Sequence, residues 1–354
     1  MRRLLLVANH NAQTVNHYRR EVISTALQSQ FEVDEVETKA RGHATEVARR
    51  GVQDGVDLIA AFGGDGTVNE VVNGLAMSRV PVAILPGGMA NVFARSLGVP
   101  PDPVEATGFL LEKSDDPPKR VPLARMEDRY FIANAGVGLD AAVVREVEHR
   151  PKKKKVVGDW FFAWTALRVL MTRPRWRVPK LRLRWGDHPD NVRDGMALAV
   201  FQNTTAYTYL RGRAMNVCPE ATVDGGVDCL ALDTDRSSTI IRVALSTFGR
   251  ARHTKNRHVL YLHDQRTIHV SSDAPLPVQV DGEYVGERQD VLVELVPDAL
   301  SVICYARSAA RTRSRIGTAT AGSFVASAST FISKSRSMAG ASSTVHVPTR
   351  TPSA

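Results

Sequence analysis

Residues 63–70, with the sequence GGDGTVNE, follow an apolar run and combine three glycines with carboxylate and hydroxyl side chains. Glycines at the end of a strand let the backbone turn sharply and approach a phosphate group closely. A helix that begins near Thr67 would point its free N–H groups and its positive dipole end at that phosphate. The carboxylate of Asp65 is suited to hold a Mg²⁺ ion or a Mg²⁺-bound water. The pattern therefore indicates phosphate binding, and a tight turn without a ligand is the simpler alternative.

A second acidic pattern, Asp281-Gly282-Glu283, lies near the end of the β-rich part of the chain. Asp-Gly is the usual two-residue connection of a β-hairpin, so the residues alone favour a plain hairpin turn. A second glycine turn, Pro86-Gly87-Gly88, follows the apolar run 80–85.

Several other site classes are excluded by spacing. The P-loop pattern G-x-x-x-x-G-K-[ST] is absent, which excludes a Walker-type nucleotidase. The histidines of the β-rich stretch lack H-E-x-x-H spacing and are predicted to be structural. The three cysteines form no CxxC pair, so they predict neither a zinc site nor a disulfide framework, and they favour a reducing compartment.

The phosphate-binding pattern needs a framework, and the first 125 residues predict one. Short apolar runs alternate with helical patterns, which is typical of a parallel sheet covered by helices. Ligands of such sheets bind beyond the carboxyl ends of the strands, where both glycine turns fall. The predicted strands are 4–8, 31–36, 56–62 and 80–85, and the predicted helices are 15–29, 44–53, 67–76 and one that ends at Ser96.

After residues 117–118 the apolar runs become short and are separated by turn residues, which predicts an antiparallel β-sandwich or barrel. Beyond about Arg307 the chain is rich in Ser, Thr and Ala, and we expect a disordered tail. The predicted strands of this half are 129–133, 181–185, 196–201, 227–232, 267–271, 278–280 and 291–296.

Residues 61–74, AFGGDGTVNEVVNG, resemble the nucleotide signature of the diacylglycerol kinase catalytic family. That family also includes sphingosine and ceramide kinases and bacterial lipid kinases. Four more segments resemble family motifs in the same order: a second glycine loop, a G-x-G-x-D-A segment, an acidic metal-site loop and a late D-G-E motif. These segments are 85–100, 134–144, 219–232 and 279–288.

The resemblance implies a two-domain protein with its active site in the cleft between the domains. Residues 1–122, rejoined by 297–307, would form an α/β nucleotide-binding domain. Residues 123–296 would form a mainly antiparallel β-sandwich that binds the lipid, and 308–354 would be a basic tail. The implied reaction is transfer of the γ-phosphoryl group of ATP to a lipid hydroxyl, with Mg²⁺ as cofactor. The acceptor would be diacylglycerol or a sphingoid or ceramide-like lipid.

The family's functional residues carry over to named positions of this sequence. Asp281, Glu283 and Asp65 are the implied catalytic residues, and one member of the pair Asp281 and Glu283 would be the general base on the lipid hydroxyl. The implied nucleotide-contacting residues are Asn9, Thr38, Gly63, Gly64, Asp65, Gly66, Thr67, Asn69, Gly87, Gly88, Met89 and Asn91.

Three positions depart from the family's pattern. Asn9-His10 stands in place of Asn-Pro, and Met89-Ala90 stands where many relatives carry a hydroxyl residue. The metal loop reads Asp224-Gly225-Gly226 instead of Asp-Asp-Gly, so a bound ion would depend on Asp224, Asp228 and main-chain carbonyls. These departures permit a weaker kinase or one of unusual specificity.

The formal net charge of +9 is concentrated in two segments. Residues 145–185 and the tail hold most of the excess of Lys and Arg, and the remainder of the chain is mildly acidic. Aromatic residues and cations alternate within 151–184, which predicts contact with an anionic membrane surface. A core helix beside a solvated basic loop is the alternative. No nucleic-acid-binding motif is present, so no nucleic-acid partner is expected, and a homodimer is compatible with the sequence.

The N-terminal apolar run stops at polar residues 9–11, so we interpret it as a strand rather than a signal peptide. No apolar stretch reaches the roughly 18 residues of a membrane span. The sequence therefore predicts a cytoplasmic protein that associates peripherally with the membrane.

Two other functions compete with a lipid kinase. NAD kinases share a GGDGT turn and a related two-domain plan, which makes a kinase for a soluble small molecule the first alternative. The departures at Met89 and Gly225 make a non-catalytic module that binds nucleotide or membrane the second.

Overall fold

The computed structural model describes residues 1–9, 17–148, 180–210, 212–249 and 251–303 of the 354-residue chain. The N-terminal part alternates strands with helices. Its elements are β1 Arg2–Ala8, α1 His17–Leu27, β2 Phe31–Glu37, α2 His43–Gln53, β3 Leu58–Gly63, α3 Asp65–Leu75, β4 Val82–Pro86, α4 Val92–Ser96 and α5 Pro103–Lys113.

Four of these strands pair in parallel in the order β2-β1-β3-β4. Every residue of β3 and β4 is buried, as expected for inner strands of a sheet with helices on its faces. The carboxyl ends of β3 and β4 lie side by side, since Gly63 pairs with Pro86. Both glycine turns therefore leave the sheet at neighbouring positions of the same edge.

The remaining described chain is mainly β-structure. Its elements are β5 Lys119–Met126, β6 Arg129–Phe131, β7 Asn134–Gly138, α6 Leu139–Glu148, β8 Leu181–Trp185, β9 Val192–Met196, β10 Leu198–Gln202, β11 Thr208–Leu210, β12 Arg213–Met215, β13 Val227–Leu232, α7 Ser237–Ser246, a 3₁₀ helix Arg252–Lys255, β14 Val259–Gln265, β15 Thr267–Val280 and β16 Glu283–Val302.

Strand β16 joins the two halves of the molecule. It pairs antiparallel with β15 and β5, and its last residue, Val302, pairs in parallel with Val82 of β4. Residues 299–303 pack into the same apolar cluster as β1, β3 and β4. A second cluster fills the space between the antiparallel strands. The division predicted from the sequence, 1–122 with 297–307 and 123–296, stays a prediction, and residues 304–307 lie outside the described chain.

The fold class predicted from the sequence, an α/β domain followed by a mainly antiparallel β-sandwich, is confirmed. Three helices, α5, α6 and α7, lie where no helix was predicted, and two predicted strands merge into the single strand β15. Among the described residues, no helix has the length and apolar character that a membrane crossing requires. The predicted tail 308–354 and most of the basic aromatic segment 151–184 lie outside the described residues.

Candidate active site

The first glycine loop connects β3 to α3 with almost no spare space. A Cβ atom on Gly63 would lie 2.6 Å from the Thr67 hydroxyl, so only glycine fits there. That hydroxyl accepts a hydrogen bond of 3.0 Å from the side-chain amide of Asn9, and the backbone N–H of Asn9 donates to the Phe62 carbonyl. By contrast, a Cβ atom on Gly66 would meet nothing within 4 Å. The loop is therefore tight against the protein at Gly63 and open at Gly66, as a phosphate site at the start of a helix requires.

The second glycine loop packs directly on the first. The Gly87 N–H donates to the Gly63 carbonyl at 2.7 Å, and a Cβ atom on Gly88 would lie 2.8 Å from the Cα atom of Gly64. Asn91 closes the loop, because its side chain both accepts from the Gly88 N–H and donates to the Gly88 carbonyl. The two loops form one surface of backbone groups at the edge of the sheet.

The structure shows the surroundings of three residues that were predicted to contact the nucleotide, namely Asn91, Met89 and Thr38. The side-chain amide of Asn91 forms hydrogen bonds within the loop, and its backbone adopts a positive φ of 46°. Met89 projects into solvent with 52% of its surface exposed. Thr38 is buried at the end of β2, where its N–H donates to the Ala8 carbonyl. The roles predicted for these residues stay predictions.

Asp65 occupies the first turn of α3 and faces the start of α4. Its carboxylate accepts a long hydrogen bond of 3.4 Å from the Phe93 N–H. Burial and the nearby charge of Asp281 raise the pKa of Asp65 to about 6, against the opposing effect of the N–H groups at the start of α4. Two carboxylates that repel each other in a partly buried site favour the binding of a cation between or beside them.

Asp281 and Gly282 form the two-residue turn between β15 and β16, with positive φ values of 48° and 77°. The hairpin interpretation of this dipeptide is therefore correct for the backbone. The Asp281 carboxylate, however, accepts hydrogen bonds of 2.8–2.9 Å from the N–H groups of residues 132–134, and one of 2.6 Å from Asn69 of α3. Burial raises the pKa of Asp281, and these N–H groups and Arg129 partly offset that effect. The turn thus ties the β-rich half of the chain to α3.

Glu283 begins β16 and lies between two arginines. Its Oε1 atom lies 2.9 Å from Nε of Arg41, which precedes α2, and its Oε2 atom pairs with Arg129 at the start of β6. The structure therefore brings Asp65, Asn69 and Asp281 together at the meeting point of the two halves, and it places Glu283 two residues beyond Asp281.

The roles of some residues that hold this region in place were not predicted from the sequence. Glu70 accepts hydrogen bonds from the N–H groups of Gly42 and Ala44 and so caps the start of α2. The signal was present, because Glu70 follows Asn69 within the first glycine motif.

A buried polar network lies behind the Asp281 turn. Asp140 accepts from the Gln279 amide at 2.8 Å and from the Tyr207 hydroxyl at 3.0 Å. Gln279 also donates to Asn134 and accepts from the Gly282 N–H. Burial raises the pKa of Asp140 and holds the pKa of Tyr207 well above its ordinary value. The G-x-G-x-D-A segment, which contains Asn134 and Asp140, and the late segment 279–288, which contains Gln279, were the sequence signals for this network.

The residues predicted to bind a metal, Asp224 and Asp228, have protein partners of their own. Both carboxylate oxygens of Asp224 lie within 3.0 Å of the Lys119 ammonium group. Asp228 is 1% exposed and accepts from the Tyr261 hydroxyl, His263 and the Asp264 N–H. Within the part of the chain that the structure describes, no three His, Cys, Asp or Glu side chains gather as a metal site would require. These two residues therefore do not fit a shared metal ion, whereas Asp65 offers a carboxylate beside the open glycine loop.

Comparison with known proteins identifies the family of both halves. Residues 3–119 match the family model described as diacylglycerol kinase catalytic domain, and residues 133–304 match that of the YegS C-terminal NAD kinase beta sandwich-like domain. A diacylglycerol kinase of Staphylococcus aureus (strain JH9) is 31% identical over 259 residues, which cover 73% of this chain and 78% of that relative.

Solved structures agree on the fold. The crystal structure of a diacylglycerol kinase from Bacillus anthracis str. Sterne has a TM-score of 0.67 at 24% identity and covers 86% of this chain and 97% of its own. An NAD kinase from Archaeoglobus fulgidus is a more distant match, with a TM-score of 0.42. The chain belongs to the diacylglycerol kinase catalytic family and is a kinase that phosphorylates an alcohol group.

Proposed function

We propose that this chain transfers the γ-phosphoryl group of ATP to the hydroxyl group of diacylglycerol or of a sphingoid or ceramide-like lipid. One observation supports the proposal above the others: α3, which begins in the open glycine loop, is joined to the Asp281 turn by a hydrogen bond from Asn69 to Asp281. A phosphate at the start of α3 would therefore lie near the carboxylates that precede and follow Gly282.

In this proposal the nucleotide phosphates bind the N–H groups of the first glycine loop and of the start of α3. Asp65 would hold Mg²⁺ there, and the ion would neutralise phosphate charge. The close approach of Gly88 to Gly64 keeps the two loops in contact beside the start of α3.

Glu283 is the better candidate for the general base. The Asp281 carboxylate already accepts four hydrogen bonds, so its oxygens are committed to holding the turn. The lipid hydroxyl would give its proton to Glu283 as its oxygen bonds to the γ-phosphorus. The bond from that phosphorus to the bridging oxygen breaks, and ADP leaves with the electron pair. Asp281 then acts as a positioning residue, because it holds the turn that directly precedes Glu283.

The experiment is a transfer assay with γ-labelled ATP and separate acceptors: diacylglycerol, a sphingoid base, ceramide and NAD. Label in one of the lipids supports the proposal and names the acceptor. If purified protein binds ATP and labels none of the lipids, the proposal is wrong, and label in NAD would favour the soluble-substrate alternative instead. Glu283→Gln should abolish turnover although the variant still binds ATP.

We also propose that the protein associates peripherally with the membrane, since a lipid acceptor must be reached at the bilayer. The cationic and aromatic composition of residues 151–184 supports this proposal. Flotation with vesicles that contain an anionic lipid tests it, and replacement of Lys152–Lys155 by glutamine should reduce the bound fraction. Equal binding to anionic and neutral vesicles by both proteins would contradict it.

A further inference from the structure

Three charged side chains from separate segments meet beside the Asp281 turn. Arg41 lies in the loop between β2 and α2, Arg129 begins β6, and Glu283 begins β16. Each oxygen of the Glu283 carboxylate faces one guanidinium group, Oε1 facing Arg41 at 2.9 Å and Oε2 facing Arg129. The Glu283 carboxylate therefore interacts with two guanidinium groups, and Arg129 is also close enough to Asp281 to lower the pKa of that carboxyl group.

Neighbouring residues of α3 anchor both sides of this cluster. Glu70 holds the loop that carries Arg41, because it accepts from the Gly42 and Ala44 N–H groups at 2.9 and 3.1 Å. Asn69 holds the turn that precedes Glu283, because it donates to Asp281 at 2.6 Å. The cluster is thus fixed relative to the helix whose first turn forms the glycine loop.

The three side chains are unequally exposed. The Arg41 side chain is 64% exposed, against 31% for Arg129 and 22% for Glu283. An ion pair with one exposed partner is screened by water and contributes little to stability, so the Arg41 contact is the easier of the two to exchange. Guanidinium groups bind phosphate oxygens with the same donor geometry that they use for carboxylates.

We propose that Arg41 and Arg129 form a binding site for a phosphate group of a substrate, and that Glu283 fills this site until the phosphate displaces it. Both oxygens of Glu283 face guanidinium groups, so acceptance of a proton requires at least one of these contacts to open. An incoming phosphate bound to Arg41 would release that oxygen. Phosphate binding would then make the base available only when the group to be transferred, or a phosphate of the lipid, is present.

The inference rests on the proposed function only where it makes Glu283 the base, and the anion site can be tested without turnover. Inorganic tripolyphosphate is the probe, and isothermal titration calorimetry is the measurement. Arg41→Ala should weaken binding about 3- to 10-fold, because one charge-assisted contact is lost. Glu283→Gln should strengthen binding about 3- to 10-fold, because the internal competitor loses its charge.

The increase in Glu283→Gln is the distinguishing result, since loss of a merely structural ion pair would weaken or not change anion binding. Arg182→Ala is the matched control, because Arg182 forms an exposed ion pair with Asp194 elsewhere on the surface. Unchanged or weaker binding by Glu283→Gln, or unchanged binding by Arg41→Ala, would overturn the proposal. Inactive wild-type protein that still shows both shifts would instead refute the lipid kinase reaction and leave the anion site standing.

Two further measurements with Arg41→Ala identify the source of the phosphate. A higher KM for ATP with an unchanged KM for the lipid assigns the site to the nucleotide. Weaker flotation with phosphatidylglycerol vesicles, and unchanged behaviour with phosphatidylcholine vesicles, assigns it to the headgroup of an anionic lipid. No change in either measurement, relative to Arg182→Ala, counts against a substrate phosphate at this site.

Discussion

Two Asp-Gly turns of this chain have the same sequence and opposite surroundings. At Asp281-Gly282 the carboxylate turns inward and accepts hydrogen bonds from residues 132–134 and from α3. At Asp224-Gly225 the side chain is 47% exposed and pairs with the Lys119 ammonium group. The first turn joins two halves of the molecule, whereas the second ends in an ion pair near the surface. An Asp-Gly pair gains a further role only where another segment presents donors to its carboxylate.

The charge balance of the two regions differs in the same way. Asp65 and Asp281 lie close enough that the charge of Asp281 raises the pKa of Asp65. In the acidic loop, residues 219–232, Asp224 is neutralised by Lys119, and Asp228 accepts from Tyr261 and His263. Carboxylates without compensating cations attract a divalent ion more strongly than carboxylates that already have partners. The comparison therefore favours Asp65, rather than the acidic loop, as the position of Mg²⁺.

The largest expected difference between the turns is the effect of replacing each aspartate by asparagine. In Asp281→Asn an amide N–H₂ group would face backbone N–H groups, and at least one buried donor would lose its acceptor. We expect a loss of about 2–3 kcal/mol in the free energy of unfolding. We also expect turnover to fall by roughly 100-fold or more, as for a misplaced catalytic group. Urea denaturation and the transfer assay measure the two effects.

Asp224→Asn is the matched control for that prediction. Its ion pair is exposed, so we expect a change within about 1 kcal/mol in stability and no more than about a twofold change in turnover. Equal losses in the two variants would show that the inward hydrogen bonds of Asp281 do not distinguish the turns.

The next effect concerns a glycine in each region. In Gly88→Ala the new Cβ atom would lie 2.8 Å from the backbone of Gly64, so one glycine loop must move away from the other. We expect a cost of about 2 kcal/mol in stability together with weaker ATP binding.

In Gly225→Ala the closest atom is the Thr222 hydroxyl at 2.9 Å, and a side-chain rotation relieves that contact. Thermal denaturation and ATP titration should therefore separate the two variants, and similar behaviour would contradict the close packing of the glycine loops.

The sequence predicted the strands and turns that carry the site better than the contacts that the site residues make. Apolar runs and glycines located the ends of β3 and β4 because buried strands and sharp turns have strong local signals. The partner of Asp281 was not predictable, because every residue type except proline has the backbone N–H group that residues 132–134 use. The ion pair between Lys119 and Asp224 was hidden for another reason: it joins residues that are 105 positions apart, and neither belongs to a recognisable pair motif.

The helices that were missed have a similar explanation. α6 begins immediately after the glycine-containing strand β7, and its apolar residues continue the β-rich pattern before it. α5 carries a clear start signal, since Asp102 accepts from the Val104 and Glu105 N–H groups and Pro103 follows it. Local capping signals could have located α5, whereas α6 depends on packing against β15 and β16.

A smaller effect is expected from Asp65→Asn, and it depends on pH. The pKa of Asp65 is raised to about 6 from 3.8, so the folded state favours the protonated carboxyl group. The stability that this group contributes is fully present below its unfolded pKa and is lost as the pH rises through about 6. Asparagine cannot ionise and avoids that loss. We expect the variant to be more stable than the parent by roughly 1–2 kcal/mol at pH 7.5, since partial exposure reduces the full effect of the shift.

At pH 4 the advantage of Asp65→Asn should fall below about 0.5 kcal/mol, because the parent carboxyl group is then largely protonated when folded. Urea denaturation at the two pH values gives the comparison. The variant should also lose kinase activity if Asp65 holds Mg²⁺, which would separate its gain in stability from its loss of function. A variant that is less stable at pH 7.5 would contradict the raised pKa of Asp65, which burial and the charge of Asp281 cause.

The smallest effect belongs to Lys119→Met, which removes the cation of the acidic loop. The ion pair is exposed, so we expect a coupling energy between Lys119 and Asp224 of about 0–1 kcal/mol in a double-mutant cycle.

The Lys119→Met variant also tests whether the ammonium group occupies a place that a metal ion could take. Asp228 keeps its own partners in the variant, and a single exposed carboxylate is a poor site for Mg²⁺, which requires several oxygen ligands. Adding Mg²⁺ should therefore raise the melting temperature of Lys119→Met no more than that of the parent protein. A rise confined to Lys119→Met and absent from the double variant with Asp224→Asn would restore the acidic loop as a metal site and remove the contrast between the two turns.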